Sequence, residues 1–101
     1  MRIRTHPGEI LLEEFLKPNH ITPHALALAL CVPSTRTSDI VHQRRGMSAD
    51  TCMRLARYFG TSAEFWCNLQ NAHDLSVAAS RLEGALERIV PFREAPAGAS
   101  T

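Results

Sequence analysis

The sequence has no run of apolar residues near the roughly 20 that a membrane-spanning helix needs. Its first residues, Met1-Arg2-Ile3-Arg4-Thr5-His6-Pro7, lack the apolar stretch of a secretory signal. Both absences point to a cytoplasmic chain with no membrane partner. Cysteine is sparse: Cys31, Cys52 and Cys67 lie 21 and 15 positions apart. That spacing gives neither an even disulfide set nor a CxxC metal or redox pair, so packed, reduced thiols are expected. No cysteine stands at zinc-ligand spacing from any of the five histidines, and no nucleophile elbow is present. No metal, no cofactor and no enzymatic activity are therefore expected. The chain is short as well. With 101 residues it forms one compact domain, and a domain of that size buries only roughly 60 to 65% of its unfolded surface. A deep cleft for a small-molecule substrate is not expected, and association with a second copy would supply missing core.

Net charge is small, +1. Neutralising phosphates supplies most non-specific affinity for nucleic acid, so the total argues against such a partner. The distribution reverses this. Residues 1–21 are balanced, whereas residues 22–57 carry Arg36, Arg44, Arg45, Arg54 and Arg57 against Asp39 and Asp50, for +3. Residues 58–101 hold −2. The middle of the chain is the part suited to face an anion.

Helix signals are dense and strand signals nearly absent. Pro7 suits a first helical position and Glu9 the positive end of a helix. Leu11, Phe15 and Leu12, Leu16 recur at a spacing of four before Pro18, which predicts a helix over 7–17. Thr22 is a good N-cap with Pro23 behind it, and Ile21 can staple onto Leu26, predicting a second helix over 23–30. After the Cys31-Val32 turn, Pro33 opens a third. There Thr37, Ile40 and Val41 face the core, while Thr35, Ser38, Asp39 and His42 form a polar stripe flanked by Ser34 and Arg36. Ser48 caps a fourth helix carrying Cys52, Leu55, Ala56 and Phe59 on one side, and Gly60 ends it. Thr61-Ser62-Ala63-Glu64 has the capping-box pattern and starts a fifth helix that reaches about residue 79. Leu82, Leu86, Ile89 and Val90 then either continue that helix or form a short one of their own, weakened by Gly84. From residue 92 a frayed tail is expected.

A short helix with a small residue on its face, a tight turn and a second helix with a polar outer face form the helix-turn-helix pattern. The details go further. His6-Pro7-Gly8-Glu9-Ile10, Leu26-Ala27, Val32-Pro33, Ile40-Val41, Arg45-Gly46, Ala49-Asp50-Thr51, Arg54-Leu55-Ala56 and Gly60-Thr61-Ser62-Ala63-Glu64-Phe65-Trp66 closely resemble the HigA-type antitoxins. These are members of the lambda-repressor-like, or XRE, helix-turn-helix family. The resemblance spans residues 6–75. It implies an all-α, five-helix lambda-repressor-like bundle over residues 1–79, and the residue pattern beyond reads as a C-terminal helical extension over 80–91 and a flexible tail over 92–101. It also implies a homodimer that binds its own operator DNA as an autorepressor and neutralises a HigB-type, mRNA-cleaving toxin. Other readings are a stand-alone XRE regulator without a toxin, or an interaction module that has lost DNA binding. The family usually has glycine at the position of Cys31. Here either a positive φ costs about 1 kcal/mol or the turn differs. The family also tends to place an apolar residue at Thr37, so this contact with the core is expected to be thin.

If the third helix enters the major groove, its N-terminal residues reach base edges first. Arg36 suits the bidentate contact to guanine, Ser34 and Thr35 offer shorter contacts, and Ser38 and His42 follow the groove wall. Asp39 either accepts from cytosine or holds Arg36 or Arg45. Alternatively, this stripe is a plain solvated face. Thr22, His24, Arg44 and Arg45 are the candidates for phosphate. The i, i+3 pair Arg54 and Arg57 also suits ordinary surface ion pairing. One helix reads few base pairs, so two copies about one helical turn apart, roughly 34 Å, are needed. Phe65, Trp66, Leu69, Leu82, Leu86 and Ile89 are the apolar residues beyond what the first four helices require and are the expected dimer contacts, although Trp66 suits core packing equally well.

Overall fold

The computed structural model describes residues 4–93. All regular structure among them is helical. It comprises α1 (Pro7–Ile10), continued by a π-helical stretch Leu11–Leu16, then α2 (Pro23–Leu30), α3 (Ser34–Val41), α4 (Ala49–Phe59), α5 (Ala63–Arg81) and a 3-10 turn at Leu86–Arg88. The first three residues and the tail beyond Arg93 lie outside the described residues.

Local chemistry sets the helix starts. A helix leaves its first N–H groups without partners, and a short acceptor just before it supplies one. His6 does so through Nδ1, which accepts the Gly8 N–H at 2.9 Å, with Pro7 next in the first helical position. Thr22 accepts from Ala25 at 3.0 Å and Ser48 from Thr51 at 3.3 Å. Two starts differ from the sequence reading. Pro33 is the extended residue before α3 rather than its first helical residue. At α5 the cap is Ser62, which accepts the Phe65 N–H at 3.0 Å, while the Thr61 hydroxyl takes the indole N–H of Trp66 at 2.7 Å. Thr61 is diverted because a buried indole N–H needs an acceptor.

The first helix also departs from plain α-helical winding. The Lys17 N–H bonds five residues back, to the Leu12 carbonyl, at 2.9 Å. This wider winding brings residues five apart to one side, and Leu11 and Leu16 are both fully buried while Leu12 and Phe15 are half-buried.

Three helix ends share one device. At His20, Cys31 and Gln43 the backbone turns left-handed, with φ of 55°, 60° and 62°. The following N–H then reaches five residues back: Ile21 to Leu16, Val32 to Ala27 and Arg44 to Asp39. These are Schellman-type ends, which usually employ glycine. Of the two alternatives for the turn after α2, the structure shows the positive φ, with the strain carried at Cys31.

The core joins Leu11 and Leu16 from the first helix, Leu26 and Leu30 from α2, Ile40 and Val41 from α3, Met47, Cys52 and Leu55 around α4, and Trp66 from α5. Trp66 is completely buried, with the Phe15 ring 4.8 Å and the Phe65 ring 4.9 Å from it. A side chain with no accessible surface in one protomer has none to offer a second, so Trp66 belongs to the core and not to the expected dimer contacts. Gly8 is required by space: a Cβ there would overlap the Ile40 carbonyl, which is how α1 approaches α3 closely. All three cysteines are free, and burial with Cys67 alongside pushes the Cys52 thiol up to about 12. Cys52 is thus a packed thiol and not a nucleophile.

Of the helical extension expected over 80–91, α5 supplies Ser80 and Arg81, and the remainder is not α-helical. It makes turns and the single 3-10 turn, and every residue from Leu82 to Arg93 is exposed. Helices this short are held mostly by tertiary packing, and none is present here.

Two expectations follow. Replacing Cys31, an exposed residue, with glycine relieves left-handed strain at the cost of added freedom in the unfolded chain, so Cys31→Gly is expected to raise stability by up to about 1 kcal/mol. An upward shift of the urea midpoint at constant m checks it. The His6 cap works only with neutral imidazole, because a protonated Nδ1 cannot accept. Burial, and next the charge of His73, lower the His6 pKa from 6.5, while Asp74 opposes them. The unfolded chain therefore takes up this proton first, and stability present above 6.5 is lost as pH falls below it. Melting temperatures measured from pH 7 down to about pH 5 should fall for the parent protein, and His6→Asn, which keeps a capping acceptor, should flatten that slope.

Candidate nucleic-acid interface

The two helices of the candidate site are joined by one buried hydroxyl. Thr37 is almost completely buried, and its Oγ1 donates to the Pro23 carbonyl at 2.7 Å, with the Ser34 carbonyl also within reach at 3.2 Å. The expected thin contact is in fact a polar tether. The Pro23 carbonyl, at the first position of α2, already has an N–H partner within the helix, and the Thr37 hydroxyl adds a second donor to it. The tether sets the first turn of α2, with exposed Thr22 and His24, beside the first turn of α3. Thr22 uses its oxygen as the cap acceptor, so its O–H remains available as a donor.

Along α3, Ser34 and Thr35 are exposed, Arg36, Ser38 and Asp39 are half-buried, and His42 follows at the end, exposed. The His42 Nδ1 lies 2.8 Å from the Ser38 carbonyl. A carbonyl only accepts, so Nδ1 carries the proton and Nε2 is the atom left to an outside partner.

Two carboxylates organise the arginines. Asp50, in the first turn of α4, accepts from Arg36 Nη1 at 2.8 Å and from Arg54 Nε at 2.7 Å. The hydrogen bonds from Arg54 and then Arg36 hold its pKa below the usual carboxylate value. Asp39 takes Arg44 Nη2 at 3.0 Å, and Arg45 stands 3.9 Å from its other oxygen. Of the alternatives open for Asp39, the structure brings it to Arg45 and adds Arg44; Arg36 is held by Asp50 instead. Arg54 also donates from Nη1 to the Leu30 carbonyl at 2.8 Å, closing the end of α2.

Sequence reasoning missed Asp50 and Arg54 as organisers. The i, i+4 spacing of Asp50 and Arg54 was the available sign. The Arg36–Asp50 pair, 14 residues apart, left none.

The start of α2 is thus tethered to α3 through Thr37, and the Arg44-Arg45 loop to α3 through Asp39. The expected dimer residues are not gathered in this way. Phe65 sits at the start of α5, Leu69 is half-buried one turn on, and Leu82, Leu86 and Ile89 lie past its far end. The helical rise from Leu69 to the end of α5 and on to Leu82 separates these groups by about 20 Å. His20 and His24 are four apart but flank the Thr22 cap, so they do not share a helix face. Among the described residues no group of three or more His, Cys, Asp or Glu side chains is placed to hold a metal.

Known proteins with a similar chain can be set beside this geometry. No family model matches the chain. Virulence-associated protein I of Dichelobacter nodosus is 55% identical over 73 residues, covering 72% of this chain and 68% of its own length. The solved structure of Pseudomonas aeruginosa antitoxin HigA with the higBA promoter superposes with a TM-score of 0.85 at 47% identity, over 88% of this chain and 98% of that one. Antitoxin HigA-1 of Vibrio cholerae is 34% identical over 85 residues, covering 84% of this chain and 80% of its own. With most of both chains matched and the helix-turn-helix intact, the chain belongs to the HigA family of antitoxins.

Proposed function

We propose that this protein is an antitoxin that binds its own operator as a homodimer, represses its own transcription and neutralises a HigB-type toxin, with no enzymatic activity. The observation that carries the reading is the corner where α3 begins. There Ser34 and Thr35 stand exposed beside Arg36, whose guanidinium is held by Asp50 and not left to swing. A pre-oriented guanidinium at the N-terminus of the second helix is what guanine reading in the major groove needs. The likeness to a HigA antitoxin solved with promoter DNA supports the same assignment.

In this reading Ser34, Thr35, Arg36, Ser38 and His42 face base edges. Asp39 serves chiefly to hold the loop arginines, and Thr22, His24, Arg44 and Arg45 contact phosphates on either side. Phe65, Leu82, Leu86 and Ile89 supply apolar surface for the second copy, with exposures between 39% and 66%. The DNA-reading unit spans 1–79 and the segment 80–91 serves association. A groove of about 610 Å³ between the end of α2 and α4 offers no acid–base pair, because its carboxylate, Asp50, is held ionised by two arginines. That supports binding over catalysis. No helix among the described residues is long and apolar enough to cross a membrane, and cytoplasmic residence is proposed on the same grounds as the DNA partner.

A mobility-shift titration with the upstream promoter tests the DNA reading. Arg36→Ala is expected to cost about 1–3 kcal/mol at one operator position, with discrimination lost there. Arg44→Ala should weaken binding to all sequences alike and flatten the salt dependence by about 0.9 in log–log slope. Absence of any shift at low salt, with the dimer intact by light scattering, would sink the proposal. Identical behaviour of the two variants would remove base reading from α3.

A further inference from the structure

The loop that carries Arg44 and Arg45 is tied down at both ends. At its start, Gln43 turns left-handed and the Arg44 N–H returns to the Asp39 carbonyl at 2.8 Å. At its other end the Met47 side chain is buried, and its backbone N–H donates to Gln70 Oε1, on α5, at 2.7 Å. The Gln70 Nε2 in turn donates to Asp74 Oδ1 at 2.9 Å. These two bonds fix the amide one way round: reversed, it would set N–H against N–H and oxygen against a carboxylate. The same amide lies flat against Gly46, where an added Cβ would stand 3.0 Å from its carbon and both heteroatoms. Elsewhere loop and helix are separated by a polar cleft of about 470 Å³, bordered by Arg44, Arg45, His6, His73 and Asp74. Among the described residues, the bond from Met47 to Gln70 is the hydrogen bond that joins this loop to α5.

We propose that Gln70 is the positioning residue for the Arg44-Arg45 loop and that it governs DNA affinity only through those two arginines. The proposal rests on the reading of this loop as a phosphate contact. Phosphate contacts fix where a protein sits on the duplex. Two long side chains on an unanchored loop must be ordered at the moment of binding, and ordering rotamer-rich side chains lowers affinity. Gln70 orders the backbone beneath them beforehand. Asp74 contributes by orienting the amide, and Gly46 by admitting it at close range.

The test is a thermodynamic cycle on the full chain with operator DNA. Gln70→Met retains the bulk beside Gly46 and removes both hydrogen bonds. It is expected to weaken operator binding about tenfold. The log–log salt slope should be reduced by up to about 1.8, for two phosphate contacts. In a background already carrying Arg44→Ala and Arg45→Ala, Gln70→Met should change nothing further. Gln70→Glu combined with Asp74→Asn keeps net charge and the acceptor for Met47 while reversing the second bond, and is expected to restore parent affinity. Equal weakening by Gln70→Met in both backgrounds overturns the proposal, because the residue would then act through the fold. So does an unchanged affinity and salt slope when the double arginine variant alone binds weakly. If the double arginine variant binds like the parent, the phosphate reading of the loop fails instead. Melting curves accompany each variant. Should Gln70→Met fail to fold, the charge-neutral swap decides: parent affinity upholds the proposal, and a tenfold loss at unchanged melting temperature defeats it.

Discussion

The Arg54 guanidinium sits where three elements converge. It donates to the Leu30 carbonyl at the end of α2 and to Asp50 at the start of α4, and Asp50 also takes Arg36 from α3. This junction ties the last turn of α2, and the Thr37–Pro23 tether ties its first turn to α3. Exposed ion pairs of this kind contribute little to stability, typically about 0–1 kcal/mol. Their effect here is geometric. The last carbonyls of a helix lack partners within it, and a planar, multidentate donor that serves one of them while gripping a carboxylate leaves little freedom to either helix.

This junction works beside turns that are locally unfavourable. Left-handed backbone at His20, Cys31 and Gln43 places strain of about 1–2 kcal/mol at each of three helix ends. In return each end satisfies a carbonyl through the bond reaching five residues back. Glycine occupies the corresponding position only after α4, where Gly60 has φ of 75°. Burial across the bundle and the tethers between helices offset the strain that side chains impose elsewhere.

Much of this was legible in the sequence, and the part that was legible has a common cause. Thr22, Ser48 and Gly60 act on backbone groups a few residues away, so their meaning is local. The buried faces of α2 and α4 follow from helical period alone. The pairs that complete the candidate interface are different: Thr37 with Pro23, Arg36 with Asp50, Met47 with Gln70 and Arg54 with Leu30 join residues 14 to 24 apart. Such partners are set by how helices cross, which no spacing rule encodes. The π-helical winding at Leu11–Leu16 was hidden for a related reason. A four-residue spacing of Leu and Phe is equally compatible with regular winding, and only packing, such as that of Phe15 on Phe59 and Trp66, distinguishes them. Trp66 illustrates the limit for large side chains, because its position near a helix start suits a surface anchor as well as a core, and the Thr61 acceptor decides between them.

The bare segment after α5 carries a quantitative consequence. Leu86, Ile89, Val90 and Phe92 are between 51% and 85% exposed, an apolar stripe that a lone chain leaves in water. If a second copy covers it, the chain senses its own abundance. Below the dimer dissociation constant, the population able to span two half-sites rises with the square of chain concentration, and operator occupancy becomes a steep function of synthesis rate. A shutoff built on that square responds weakly to a few copies and sharply to many, so the gain of the feedback loop is set by apolar surface far from any base.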